Sequence, residues 1–275
     1  MTPTVQAGAT IGRLQAALPL DPLENRILLC HALGLARVAL ITQSERALSA
    51  DEAARLDALV QRRLQGEPIA YIVGEREFFG LPFKVGPGVL IPRPDTELIV
   101  ELALERLPPR GRLLDMGTGS GAIAVACAHS REDAAVTALD VSENALAIAR
   151  ANAAANGARV AFMRSDWFAA LGAQRFEIIA SNPPYIAAGD PHLTQGDLRF
   201  EPSGALTDHA DGLSALRIIV DGAPAHLEPG GWLLLEHGYD QAEAVRALLA
   251  ARGFVEVQSW RDLAGIERVS GGRLP

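Results

Sequence analysis

The sequence predicts an α/β protein with a mostly parallel sheet, helices on both faces, and a small helical domain in front. Three observations predict it. From about residue 90 onward, short apolar runs alternate with helical patterns, the arrangement that builds a parallel sheet covered on both sides. Residues 1–85 instead carry helix-start signals and then a change of character. The motifs that can do chemistry fall just after strand candidates, where ligands of such folds bind. A chain of 275 residues with 49% hydrophobic content can bury a core and suits one typical domain plus a small partner.

In the first part, Asp21-Pro22-Leu23-Glu24 reads as a helix start: Asp21 as cap, Pro22 at the first helical position, Glu24 reaching back. Ile27, Leu28, Cys30 and Leu33 supply the apolar face. Ser49-Ala50-Asp51-Glu52 opens a second helix with Leu56, Leu59, Val60 and Leu64 on one side and a stop at Gly66. Ile69, Tyr71, Val73, Phe78, Phe79, Phe83 and Val85, broken by glycines and a proline, suggest a hairpin or linker strands. The domains are expected at 1–85 and 86–275. In the second part the strand candidates are 112–116, 136–140, 159–164, 177–181, 232–236 and 254–260.

A formal net charge of −8 argues against a nucleic-acid binder. Cys30 and Cys127 lack CxxC spacing and read as small buried hydrophobes in a reduced, cytoplasmic compartment. The start MTPTVQAGAT has no basic stretch leading into an apolar run, so no signal peptide is expected. No uncharged apolar stretch is long enough to span a membrane. His129, His192, His209 and His226 lack ligand spacing, so no metal site is expected.

Asp115-Met116-Gly117-Thr118-Gly119-Ser120-Gly121 ends a strand and opens a helix. Glycines there let the backbone turn and approach a ligand, and the helix offers free N–H groups. With Ala122 the loop also satisfies the looser dinucleotide pattern G-x-G-x-x-A. Asp140 ends the next strand, where a carboxylate can accept both hydroxyls of a ribose; its bland alternative is a helix cap, a task Ser142 can fill. A ribose is common to NAD and S-adenosylmethionine. Asp115 leans toward the latter, because a pyrophosphate would be repelled by it. After the third strand, Asp166 can accept from an adenine amino group and Trp167 can cover the ring, or Trp167 is simply a core aromatic.

Ser181-Asn182-Pro183-Pro184-Tyr185 follows the fourth strand. Two prolines stiffen the loop and leave carbonyl oxygens as acceptors, and Asn182 adds a side-chain acceptor. Two rigid acceptors suit an –NH₂ group, holding both hydrogens and aiming the nitrogen at a methyl donor. Alignment matters for an amide, whose lone pair is delocalised, and acceptors stabilise the positive character that develops on nitrogen. Tyr185 can pack on the flat substrate group.

Taken together these residues resemble the amino-group methyltransferases. More closely, they resemble the peptide chain release factor N5-glutamine methyltransferases, the PrmC/HemK family. The matching stretches include Tyr71-Ile72-Val73-Gly74, Glu77-Phe78-Phe79-Gly80-Leu81, Val89-Leu90-Ile91-Pro92-Arg93-Pro94-Asp95-Thr96-Glu97 and Asp115–Gly121. They continue with Ser165-Asp166-Trp167, Asn182–Tyr185, Phe200-Glu201-Pro202, Asp211-Gly212-Leu213 and Leu235-Glu236-His237-Gly238. The resemblance implies a class I, Rossmann-like domain with a seven-stranded, mostly parallel sheet, joined by a β-hairpin to an N-terminal helical domain that docks the partner. It implies S-adenosylmethionine held by Gly117, Thr118, Gly119, Ser120, Gly121, Asp140 and Trp167, near Asn182. It implies a glutamine amide held by Asn182 and Pro183, with Pro184 and Tyr185 beside it. The substrate would be the Gly-Gly-Gln glutamine of class 1 release factors.

Arg93 and Glu97 can order the cofactor side of the cleft or pair across a helix start. Asp95 can be a cap or a ligand, and His237 and Tyr239 can support the cleft or serve structure. Two rival functions are an adenine-N6 methyltransferase on DNA or RNA, whose target –NH₂ is equally planar, and a non-catalytic domain that binds the cofactor. Net charge and the lack of a basic stripe oppose the first; the stiff acceptor loop opposes the second.

Overall fold

The computed structural model describes residues 5–275, which form two compact units, one up to Gly74 and one over Glu75–Pro275. The first holds α1 (Ile11–Ala17), α2 (Pro22–Leu33), α3 (Arg37–Thr42), α4 (Ala50–Leu64) and α5 (Ile69–Val73). Asp21 caps α2, accepting from Leu23 N, with Pro22 at its first position. Glu24 does not reach back; it pairs with Arg63 of α4. Ser49 and Glu52 form the reciprocal capping box of α4. Leu56 and Val60 are buried with Leu28, Leu29, Ile11 and Leu40, whereas Leu64, at the frayed end, is 48% exposed. Ile69, Tyr71 and Val73 lie in a helical turn and not in a strand, because Pro68 starts it and Gly74, at φ +77°, stops it.

The second unit opens with a hairpin, β1 (Glu75–Phe78) and β2 (Leu81–Lys84). Phe78 and Phe83 join its core, and the Asn152 side chain brackets Lys84 by accepting from its N–H and donating to its carbonyl. The hairpin is therefore an integral part of this unit. Then follow α6 (Glu97–Arg106), β3 (Arg112–Met116), α7 (Ala122–Ser130), β4 (Ala135–Asp140), α8 (Glu143–Ala155), β5 (Val160–Arg164) and β6 (Phe176–Ser181). After them come α9 (Ser203–Leu206), α10 (Ser214–His226), β7 (Leu227–Glu236), α11 (Ala242–Ala251), β8 (Val255–Arg261) and β9 (Glu267–Arg273).

Seven strands form one sheet in the order β5-β4-β3-β6-β7-β9-β8. The first five run parallel; β9 is antiparallel to both neighbours. Alternate residues of β3 feed opposite layers: Leu113 packs with α6 and α7, Leu114 with α10 and α11. Such two-sided burial is why these strands read as near-continuous apolar runs. The seventh strand, β9, has no such run. Its Gly271 lies where a Cβ would come within 2.5 Å of the Leu233 carbonyl, so close approach to β7 dictates glycine there.

From β3 the chain steps outward through β4 to β5, then returns to β6 on the other side of β3. The crevice at that switch, beyond the carboxyl ends of β3, β4 and β6, is the expected ligand position. The Ser181 hydroxyl donates to the Met116 carbonyl at 2.7 Å and ties the ends of β6 and β3 together.

Candidate active site

Two cavities open at this switch point. The larger, about 300 Å³, is walled by Gly117 and Gly119 after β3, Asp140 to Ser142 after β4, Ser165 to Trp167 after β5, and Asn182 and Pro184 after β6. The smaller, about 170 Å³, is walled by Arg93, Pro183, Tyr185 and several leucines. Leu90, Asn182 and Ala205 line both.

Each wall has a local cause. Gly117 and Gly119 sit at φ +70° and +55° with open space where a side chain would stand. Gly121, at φ +87°, is required by packing as well, since a Cβ would meet the Ala149 Cβ at 3.1 Å. Thr118, Ser120 and Gly121 do not face the cavity; they hold the loop from behind. The Thr118 hydroxyl donates to Asp115 at 2.6 Å, and Ala124 N donates to the same oxygen at 3.1 Å. Asp115 thus organises the loop, and complete burial pushes its carboxyl up to about 7.

Asp140 accepts Gly119 N on one oxygen and Ser142 N on the other, each at 2.9 Å. Each oxygen keeps acceptor capacity for a ligand hydroxyl. Ser142 caps α8 by accepting from Ala145 N, so the cap and the cavity wall are separate tasks. Trp167 lies on the cavity wall with φ +46°, a strained region for an aromatic residue. Ser165 holds it there, its hydroxyl donating to the Trp167 carbonyl and accepting from Ala170 N.

The Asn182–Tyr185 loop is clamped by distant elements. Asn182 Nδ2 donates to Thr96 Oγ1 at 3.2 Å, and the Tyr185 hydroxyl donates to Glu236 at 3.3 Å. Gln241 donates to the Tyr185 carbonyl at 2.9 Å. Gly212, at φ +81°, allows its own loop to pass that carbonyl, which a Cβ would meet at 2.4 Å. Burial pushes the Tyr185 phenol upward and the Glu236 carboxyl up to about 7.

The remaining sequence candidates resolve into structural ties. Arg93 pairs with buried Glu201, not with Glu97, and Glu201 also accepts from Ile91 N at 2.9 Å. Glu97 accepts from Phe79 N. Asp95 neither caps a helix nor lines either cavity; it faces Arg268 at 3.4 Å. His237 is buried between the Gly238 carbonyl and the Ser270 hydroxyl, and Tyr239 is 69% exposed. Among the described residues no three His, Cys, Asp or Glu side chains gather as a metal site. Sequence reasoning placed Ser165, Thr96 and Glu236 in matching stretches without giving them a role and did not single out Gln241; the partners of Thr96, Glu236 and Gln241 lie far away along the chain.

Residues 9–74 match the PrmC N-terminal domain family, and residues 94–197 match the Methyltransferase small domain family. A release factor glutamine methyltransferase of Burkholderia pseudomallei is 56% identical, covering 100% of both chains. One of Neisseria gonorrhoeae is 53% identical over 92% of this chain and 94% of its own. Among solved structures, a methyltransferase from Pyrococcus furiosus superposes with a TM-score of 0.54 at 23% identity, covering 78% of this chain and 95% of that one; this is a likeness of fold. The loops after β3 and β6, the sheet order around them and these relatives lead to one assignment: the chain belongs to the release factor glutamine methyltransferase family.

Proposed function

We propose that the protein transfers a methyl group from S-adenosylmethionine to the N5 amide of the glutamine in the Gly-Gly-Gln motif of class 1 peptide chain release factors. The observation that carries this reading is the place of Asn182, where the nucleoside-sized cavity meets a smaller one walled by Pro183 and Tyr185. The release factor glutamine methyltransferases that this chain resembles in sequence point to the substrate.

The larger cavity fits the cofactor. Asp140 offers acceptors for ribose hydroxyls, Asp166 an acceptor for an adenine amino group, Trp167 a flat face, and Gly117 and Gly119 room without side chains. When bound there, S-adenosylmethionine supplies an electrophilic methyl group on a sulfonium sulfur. The Asn182 Oδ1 and the Pro183 carbonyl accept the two amide hydrogens of the glutamine and point its nitrogen across the junction. Tyr185 packs against the flat amide. As the N–CH₃ bond forms and the S–CH₃ bond breaks, the acceptors stabilise the charge growing on nitrogen, and one proton leaves to water. Net charge and the absence of a basic stripe disfavour an adenine target in DNA or RNA. The helical unit up to Gly74 is assigned to docking the release factor, in the cytoplasm. No described helix is long and apolar enough to cross a membrane.

The test is transfer of a labelled methyl group to a purified release factor, to the same factor with its Gly-Gly-Gln glutamine replaced, and to duplex and single-stranded DNA. Label on the intact factor alone is expected. Label on DNA would replace the substrate, and binding without transfer would turn the reading toward a non-catalytic domain.

A further inference from the structure

His237 and Gly238 end one of the sequence stretches singled out above, yet the reaction as described gives neither a task. They directly follow β7 and sit where two hydrogen-bond systems cross. Gln241 forms the first. Its Oε1 accepts from Gly238 N at 2.8 Å, and its Nε2 donates to the Tyr185 carbonyl at 2.9 Å and to the Gly212 carbonyl at 3.2 Å. A backbone N–H can only donate and a carbonyl can only accept, so the partners themselves settle which end of this amide is which. The second system runs from α11 through β8 and β9. Arg246 Nη1 donates to Ser259 Oγ at 2.6 Å, and Ser259 Oγ meets Ser270 Oγ at 2.6 Å. Ser270 Oγ meets His237 Nε2 at 2.7 Å, and His237 Nδ1 meets the Gly238 carbonyl at 2.8 Å.

Both ends of the second chain dictate one polarity. Arginine can only donate, so Ser259 accepts there, gives its own proton to Ser270, and Ser270 gives its proton to Nε2. The Gly238 carbonyl can only accept, so the ring hydrogen sits on Nδ1. The reverse direction would require a hydrogen on Nε2 as well, a buried imidazolium, and would leave the Ser259 proton no acceptor in the chain. Burial holds the His237 ring below its ordinary pKa; Arg246 and Arg268 push the same way, and the Gly238 carbonyl and Glu267 oppose them. His237 is thus a neutral donor aimed at one peptide carbonyl. That carbonyl also accepts from Gln241 N at 3.0 Å, so the ring pins the turn that carries Gln241.

We propose that Gln241 is a positioning residue for methyl transfer, fixing the Tyr185 carbonyl and with it the end of the acceptor loop, and that the Nδ1–H form of His237 sets the turn from which it acts. The proposal rests on the glutamine-amide reading above. Prolines fix φ in that loop but not ψ, so its carbonyls need holding by other means. The Pro183 carbonyl is kept for the substrate. The Tyr185 carbonyl, two residues on, is the one tied down, and the tie reaches back through the turn to the antiparallel edge of the sheet.

The test has two arms. Nitrogen NMR of the histidine rings in wild type, with His237 identified by its loss in His237→Leu, should show a hydrogen on Nδ1 and none on Nε2; a hydrogen on Nε2 overturns the proposal whatever the activity. The second arm is methyl transfer to a purified release factor, at a pH well above neutral. Gln241→Glu keeps the acceptor for Gly238 N but sets an ionised oxygen against the Tyr185 and Gly212 carbonyls. It is expected to lower kcat about 10- to 100-fold, the scale of a misplaced reacting group. Cofactor Kd by calorimetry should stay within about threefold, which also certifies the fold. His237→Leu and His237→Asn shrink the side chain alike, but only asparagine keeps an N–H for the Gly238 carbonyl. The leucine variant should lower kcat about tenfold, and the asparagine variant should recover most of that loss, whereas lost packing alone would impair both equally. Gln241→Glu with near wild-type kcat, or asparagine as impaired as leucine, overturns the proposal. If wild type itself transfers no methyl group, the functional reading fails and takes the positioning role with it, while the ring hydrogen still decides the polarity of the chain.

Discussion

The two loops that meet in the larger cavity are built by opposite means. The loop after β3 is made by subtraction. Gly117 and Gly119 adopt positive φ and leave open space, and Asp115 steadies the loop from the buried side. The loop after β6 is made by addition. Pro183 and Pro184 fix its backbone, and side chains from three other places clamp it: Thr96, Glu236 and Gln241. A loop that admits a nucleoside needs room, whereas a loop that aims a reacting nitrogen needs stiffness.

If that contrast is right, the two loops fail differently. Asn182→Ala removes a substrate acceptor and is expected to lower kcat about 100- to 1,000-fold, as loss of one preorganised hydrogen-bonding group does. Cofactor Kd by calorimetry should change little; a matching loss in both would merge the two loops into one function. Asp115→Ala strikes the other loop from behind. It leaves the Thr118 hydroxyl and Ala124 N–H without their acceptor. We expect a loss of about 2–3 kcal/mol in urea unfolding, the cost of stranding buried donors, and a smaller effect on kcat of the folded protein at saturating cofactor.

The same contrast governs what could be read from sequence. The inner strands β3, β4, β6 and β7 were legible because burial on both faces leaves apolar runs, and the less buried edge strands β5 and β8 because helical patterns precede them; β9 was not, since Gly271 and Gly272 are there for space, which no periodicity records. Ile69–Val73 is too short for β-branched and aromatic residues to betray their helix, and only Pro68 and Gly74 mark it. In the site, the glycines, Asp140, Trp167 and Asn182–Tyr185 could be placed because each lies at or just beyond the end of a strand. Thr96 lies 86 residues from Asn182, and Gln241 lies 56 from Tyr185. Glu201 lies 108 from Arg93. Such ties depend on the sheet order bringing β6 beside β7, and a local motif cannot display them.

A smaller effect sharpens the role of the loop after β4. Asp140 has an N–H donor on each oxygen from its own surroundings, so it is held in place before any ligand arrives. Asp140→Ala should weaken S-adenosylmethionine binding about 10- to 100-fold, the scale of losing hydrogen bonds to a charged group. At saturating cofactor, kcat should recover. Unchanged affinity by calorimetry would return Asp140 to a purely local role beside Ser142.

The smallest effect concerns the support beneath the stiff loop. Burial raises the Glu236 carboxyl from its ordinary 4.5 to about 7, Asp95 pushes it the same way, and the Thr96 and Tyr185 hydroxyls and Arg268 oppose them. The folded carboxyl therefore keeps its proton over a range in which the unfolded one has lost it. The stabilisation this provides is complete below 4.5, erodes as pH rises, and is gone above about 7. A glutamine at this position carries no such dependence, so Glu236→Gln isolates this group, since Asp115 titrates alike in both proteins. Between about pH 6 and 8 the glutamine variant should gain about 1 kcal/mol in unfolding free energy relative to wild type, close to one pKa unit of differential protonation. The measurement is urea unfolding of both proteins across that interval. A stability difference that stays flat with pH would mean that Glu236 ionises as easily in the fold as in the open chain, and that the base of the Asn182 loop is wetter than its burial suggests.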